Sequence, residues 1–318
     1  MRFLIVGFSS IVARRALPAL LQLPDVESID IASRRPLERT SLPDNWSGKI
    51  YDDYREAISN SQAEVVYVSL VNSLHEEWVA IALRSEKHVI VDKPAFLSLA
   101  AAVQLIEIAT KNDLCLAEAV VFSYHPQIAA LEKLSSETGG TTRLIATFTI
   151  PPLHIDNFRN HPELGGGSLW DLGPYAAAAS RLFFGSLPEK LTCNVVSNHP
   201  ETNVDTGFSV LASYNGGRSY VGQFGFDTEY QNWLTFIGPG IAVTADRIFT
   251  APPNLENQLE VSRNSQKSTV PVKAGDSFEL FFRSVISAID GRSWSGLAED
   301  LMYDARMLDR MRVSARAS

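Results

Sequence analysis

From Arg2 to about Val121, short runs rich in Val, Ile and Leu alternate with longer stretches whose apolar residues recur at helical spacing. The runs Arg2–Val6, Ser28–Ala32, Val65–Leu70, Lys87–Val91 and Leu114–Ala119 are rich in Val, Ile and Leu, which predicts strands covered on both faces. Ile11–Leu23, Ser73–Arg84 and Leu99–Thr110 predict helices with one face on that sheet. This alternation is that of βαβ units, so the first part of the chain reads as an α/β Rossmann domain with a doubly wound parallel sheet. Beyond it, Arg143–Ile150, Leu191–Ser197, Gly207–Tyr214, Ser219–Phe226 and Leu234–Ile237 read as strands without regular helices between them. Asn215-Gly216-Gly217 joins two of these runs and predicts a hairpin, since such residues tolerate positive φ. An α+β domain with a large, open, mainly antiparallel sheet follows. Helical stretches at Ser277–Ile289 and Leu297–Ala315 end the chain. The domains are placed at 1–121 and 122–318, with the C-terminal helices able to pack back on the first.

Length and composition sharpen this picture. At 318 residues, 45% hydrophobic and 20% charged, the chain suits two folded domains rather than a disordered polymer. A net charge of -8 argues against nucleic acid as a partner. The N-terminal apolar run is too short for a signal peptide or a membrane span. Cys115 and Cys193 show neither a disulfide framework nor metal-ligand spacing, so a reducing, cytoplasmic setting is expected. The six histidines form no ligand pair, and no metal is expected.

The first turn, Gly7-Phe8-Ser9-Ser10-Ile11-Val12, keeps one of the three glycines of a dinucleotide fingerprint. An ordinary tight βα turn would read the same. Its place between the first strand and a helix favours a pyrophosphate site of backbone N–H groups, with Ser9 and Ser10 as hydroxyl donors. The second strand ends at Ser33-Arg34-Arg35, where an NAD enzyme usually carries a carboxylate. A hydroxyl and guanidinium groups there suit a ribose 2′-phosphate, hence NADP(H), although a solvated arginine pair is the plain alternative. Asp30 complicates the assignment, lying three residues earlier in the strand.

Val91-Asp92-Lys93-Pro94 sets a lysine at the carboxyl edge of the parallel sheet, where open α/β folds bind ligands. With the first turn, Leu70-Val71-Asn72-Ser73-Leu74-His75 and Gly165-Gly166-Gly167-Ser168-Leu169-Trp170-Asp171-Leu172-Gly173-Pro174-Tyr175, it resembles the Gfo/Idh/MocA oxidoreductase family over essentially the whole chain. The resemblance implies a Rossmann domain followed by an α+β domain whose open sheet mediates oligomerisation, here as a homodimer or homotetramer. It matches Lys93-Pro94 to a Glu-Lys-Pro motif, with Asp92 for the glutamate, and makes Lys93 the catalytic lysine. Tyr175 falls where many members carry histidine. Leu70, Asn72, His75 and Pro94 are implied to lie at the cofactor. The glycine-poor first turn, Arg14-Arg15, and Phe122-Ser123-Tyr124-His125-Pro126-Gln127 resemble ketoreductases of deoxysugar biosynthesis.

In the chemistry so implied, Tyr175 gives a proton to a carbonyl oxygen and Lys93 lowers its pKa. Asp171, four residues before Tyr175, is expected to bind substrate hydroxyls, Arg159 to pair with a diphosphate, and His125 to face substrate. For Asp171 a helix-end charge, and for Arg159 a surface salt bridge, remain open. Tyr230-Gln231-Asn232-Trp233 and Ala245–Pro253 read as pocket lining or as a sheet rim. Three functions stay in view: an NADPH-dependent reductase of a nucleotide-linked keto sugar, an NADP-dependent dehydrogenase of a free sugar, polyol or dihydrodiol, and a non-catalytic NADP-binding regulator.

Overall fold

The computed structural model describes residues 1–317. It divides into two compact units: Met1–Ala119 with Phe278–Ala305, and Val120–Ser277 with the chain from Arg306 onward.

The first unit is built on six parallel strands: β1 (Arg2–Val6), β2 (Ser28–Ala32), β3 (Ile50–Tyr51), β4 (Val65–Val68), β5 (His88–Val91) and β6 (Leu116–Glu118). Their order, β3-β2-β1-β4-β5-β6, is the doubly wound order of dinucleotide-binding sheets. All four residues of β4 are buried, as a central strand with helices on both faces requires. A helical segment opens with a π turn at Val12–Ala16 and continues as α1 (Leu17–Leu20), with Pro18 in its first turn, where no N–H is needed. Three further helices alternate with the strands: α2 (Tyr54–Asn60), α3 (His75–Arg84) and α4 (Leu99–Lys111). Asp53 and Ser98 cap α2 and α4 by accepting from Glu56 N–H and Ala101 N–H.

The second unit holds the rest in chain order: helix α5 (Pro126–Glu137), β7 (Arg143–Thr149), α6 (Ser168–Asp171), α7 (Gly173–Phe184), β8 (Lys190–Asn198), β9 (Asp205–Tyr214), β10 (Arg218–Gly225), β11 (Gln231–Gly238), β12 (Ile241–Asp246), β13 (Asn257–Arg263) and β14 (Gln266–Val272). The eight strands form one sheet, β14-β13-β12-β11-β7-β10-β9-β8. Every pairing is antiparallel except β7 with β10. The predicted hairpin joins β9 to β10 through Asn215-Gly216-Gly217, both glycines at positive φ. In the first unit α8 (Ser277–Asp290) lays Phe282 edge-on against Phe3 and Tyr67 of the parallel sheet. The last helix, α9 (Ser295–Arg316), begins in the first unit and ends in the second. Among the described residues no helix is long and apolar enough to cross a membrane.

Candidate functional site

The candidate residues fall into two groups, one carried by each unit. In the first, Gly7 follows β1 at φ 96°, and a Cβ there would stand 2.2 Å from the Ser69 carbonyl oxygen. Only glycine lets this turn lie against the end of β4. Phe8, Ser9 and Ile11 are half-buried around the turn, and Ser10 is exposed. Ser9 Oγ accepts from Val12 N–H at 3.2 Å and lies 2.9 Å from Ser69 Oγ.

At the end of β2, Ser33, Arg34, Arg35, Pro36, Tyr51, Asp52 and Glu56 line an open pocket of about 590 Å³. The Arg34 guanidinium lies over the Tyr54 ring at 4.7 Å and near the Trp78 ring at 5.5 Å, which fixes its plane without consuming its donors. The Ser33 hydroxyl, expected to meet the phosphate, is instead 8% exposed, donates to Arg35 O at 2.8 Å and accepts from Arg35 N–H. It shapes the turn that presents the arginines. Asp30 accepts from Lys49 N–H and the Ser61 hydroxyl, so it braces neighbouring loops and is not the ribose carboxylate of an NAD enzyme. A bare-backbone turn at β1 and an arginine-lined pocket at β2 fit a phosphorylated dinucleotide.

At the end of β5, Asp92 accepts from the hydroxyls of Tyr67 and Ser69. Burial first, and then the Asp92 carboxylate, push the Tyr67 phenol well above its ordinary pKa, so it stays a donor. Lys93 follows, half-buried, joined to the buried Pro94 by a cis peptide bond. His75, expected near the cofactor, is fully buried; its ring nitrogens lie 2.9 Å from Pro94 O and 3.1 Å from Leu70 O. It clamps the loop after β4 to the lysine turn. Asn72 is buried at the start of a short 3₁₀ turn beside Leu70.

In the second unit the glycine run positions a charge pair. A Cβ on Gly166 would stand 2.5 Å from Arg159 O and 2.7 Å from His161 O, and Gly167 N–H donates to Arg159 O at 2.9 Å. The loop carrying Arg159 is thus pressed onto the start of α6. Asp205 caps that start, accepting from the Ser168 hydroxyl and Leu169 N–H, both at 2.6 Å. Arg159 Nε then meets Asp171 Oδ2 at 2.7 Å. Burial disfavours the Arg159 charge, but the charge and hydrogen bond of Asp171, with a further pull from Tyr175, outweigh it and raise its pKa. Asp171, expected to bind substrate hydroxyls, and Arg159, for which a diphosphate partner and a salt bridge were both open, hold each other in a bridge that is largely buried.

Asp171 and Tyr175 lie on two helices that break at Leu172, with Tyr175 N–H donating to Leu172 O. The Tyr175 ring is surrounded by Phe122 at 5.6 Å, Phe148 at 5.1 Å and Phe249 at 5.5 Å. Asn232, 2% exposed, accepts from Phe249 N–H and donates to Tyr230 and Thr250, and so holds the loop that brings Phe249 to the tyrosine. Asn232 and Phe249 lie within stretches read as pocket lining or sheet rim; Phe148 stood in a predicted strand without an assigned role. His125 is 1% exposed and caps α5 by accepting from Gln127 N–H; burial lowers its pKa against the opposing charge of Asp276.

Comparison with known proteins adds to this geometry. The family described as "Oxidoreductase family, NAD-binding Rossmann fold" matches residues 1–120, and the "GFO/IDH/MocA C-terminal domain" matches residues 131–243. A dTDP-3,4-didehydro-2,6-dideoxy-alpha-D-glucose 3-reductase from Actinomadura kijaniata is 30% identical over 318 residues, covering 98% of this chain and 95% of that one. The crystal structure of KijD10, a 3-ketoreductase from Actinomadura kijaniata in complex with NADP and TDP-benzene, superposes with a TM-score of 0.93 at 29% identity, covering 99% and 98% of the two chains. A D-xylose 1-dehydrogenase (NADP(+)) from Haloferax volcanii is 27% identical over 292 residues, covering 90% of this chain and 89% of that one.

Proposed function

Because the chain belongs to the Gfo/Idh/MocA oxidoreductase family, we propose that it is an NADPH-dependent reductase of a keto group on a nucleotide-linked deoxysugar. The observation that carries this reading is Tyr175, caged by three phenylalanines and electrostatically coupled to the Arg159–Asp171 pair. An ordered phenol with a cation at hand is suited to give up a proton.

When bound, NADPH supplies the hydride for the carbonyl carbon. Backbone N–H groups of the turn from Gly7 to Ile11 would hold its pyrophosphate, and Arg34 and Arg35 its 2′-phosphate. Tyr175 donates its phenolic proton to the carbonyl oxygen. The phenolate left behind is stabilised by Arg159, whose charge Asp171 partly offsets. Lys93 stands where the family resemblance puts its lysine, at the carboxyl edge of the parallel sheet after β5. The phenylalanine cage keeps the Tyr175 ring in place.

A second reading, oxidation of a free sugar, is favoured by the xylose dehydrogenase relative. A panel of TDP-linked 3-keto sugars and free aldoses, followed by NADPH oxidation or NADP reduction, separates the two. Turnover of the keto sugars supports the proposal; turnover of aldoses alone overturns it. The protein is further proposed to be a cytoplasmic homodimer or homotetramer. Supporting this, Leu211 and Val221 are cross-strand neighbours, 55% and 41% exposed, on the face of the large sheet that also carries Ile145. The thiols of Cys115 and Cys193 are unpaired and, by burial, pushed up to about 12, which suits a reducing compartment.

A further inference from the structure

We propose that Ser9, Ser69 and Asp92 form a one-way hydroxyl chain tying the pyrophosphate turn to the strand end that carries Lys93, so that Ser9 is a positioning residue and not a cofactor donor. The inference rests on the dinucleotide reading of the first unit. It follows from counting protons. A carboxylate only accepts, and each serine hydroxyl has one proton to give. Ser69 gives its proton to Asp92 Oδ2 at 2.5 Å. The 2.9 Å contact between Ser9 and Ser69 must therefore be Ser9 donating to Ser69. The Ser9 oxygen also accepts from Val12 N–H. Its proton is spent inside the protein, which leaves the backbone and the exposed Ser10 to meet a pyrophosphate.

The chain crosses the carboxyl ends of three neighbouring strands, β1, β4 and β5. Each link is braced by the backbone: Ser69 N–H donates to Val6 O and Asp92 N–H to Val68 O. Ser69 is 1% exposed, so water cannot replace a lost partner without cost. Tyr67 completes the shell by donating to the other Asp92 oxygen. The short aspartate, where the family motif has glutamate, thus has two fixed donors that hold its carboxylate next to Lys93 in the chain. A displacement of the pyrophosphate turn is carried through these hydrogen bonds to Asp92, the residue bonded to Lys93.

The test uses the full-length protein with Ser9→Ala, Ser69→Ala, the double variant and Ser9→Thr. The NADPH dissociation constant is read by fluorescence without substrate, and kcat with the best keto sugar of the panel. A chain acting as one unit gives non-additive losses. Ser9→Ala should leave the NADPH dissociation constant within about twofold while lowering kcat by about fivefold or more, the loss of one internal hydrogen bond. The double variant should then match Ser69→Ala, and Ser9→Thr should restore kcat. A tenfold or greater weakening of NADPH binding by Ser9→Ala would overturn the proposal, as would additive losses. Should Ser69→Ala fail to fold, the Ser9 pair decides alone. Should no substrate turn over, the binding arm still decides, and the functional reading fails separately.

Discussion

Replacing either partner of the Arg159–Asp171 pair should move the pH profile of reduction in opposite directions. Their 2.7 Å contact corresponds to about 6 kcal/mol of gross attraction at an effective dielectric near 20. Desolvation of the two ions offsets most of that. With side chains 29% and 7% exposed, stranding one partner should cost about 2–3 kcal/mol of stability, less than the roughly 3–5 of fully buried pairs. The catalytic effect depends on Tyr175. Reduction needs the protonated phenol, so the rate falls as pH rises through the phenol's pKa. Arg159→Gln removes a cation and leaves the Asp171 charge near the phenol, which favours the proton and shifts this limb to higher pH. Asp171→Asn leaves Arg159 uncompensated and shifts it lower. Each kcal/mol of changed attraction moves the limb by about 0.7 unit. Urea denaturation measures the stability loss, and kcat against pH measures the shifts. Movement of both limbs in the same direction, or of neither, would refute the coupling.

Three other outcomes follow from the two units. Gly7→Ala places a methyl 2.2 Å from Ser69 O at a φ of 96°, so NADPH binding should be lost in a fluorescence titration; tight binding by this variant would refute the turn's role. Arg34→Ala with Arg35→Ala should weaken NADPH by about tenfold to a hundredfold through lost charged hydrogen bonds, with NADH changed much less. Histidines His88 and His125 are both lowered chiefly by burial, and their Nδ1 atoms accept from Cys115 N–H and Gln127 N–H. A lowered histidine pKa means the unfolded chain binds more protons, so this stability is full above about 6.5 and is lost as pH falls through that value. His88→Gln should flatten the loss of denaturation free energy between about pH 7 and 5.

The parallel sheet was legible because short apolar runs separated by stretches of helical spacing have few other solutions; β1, β2, β4 and β5 lie where the runs predict. Strand β3 has two residues, and α2 seven; neither is long enough to show a period. Strands β13 and β14 carry many exposed residues, so they lack the apolar signal of a strand. Motif residues at the site were legible singly, but their partners were not. Nothing local in the sequence says that Asp171 faces Arg159 or that Asp205 caps α6, because each pair is made by chain segments meeting in space. The same holds for Ser69 and Tyr67, which as sequence belong simply to a buried strand and its end. Asp30 shows the converse, since a carboxylate near the right place in β2 proved to brace Lys49 and Ser61.

The central claim, that Tyr175 is the proton donor of a ketoreduction, is tested most directly by single-turnover reduction of a TDP-linked 3-keto sugar at saturating NADPH with Tyr175→Phe. The cage of Phe122, Phe148 and Phe249 should accept a phenylalanine in place, so NADPH affinity should match wild type. Loss of a positioned acid is worth about a hundredfold to ten-thousandfold, and a rate lower by that factor is the predicted result. A variant that reduces the sugar as fast as wild type would contradict the account.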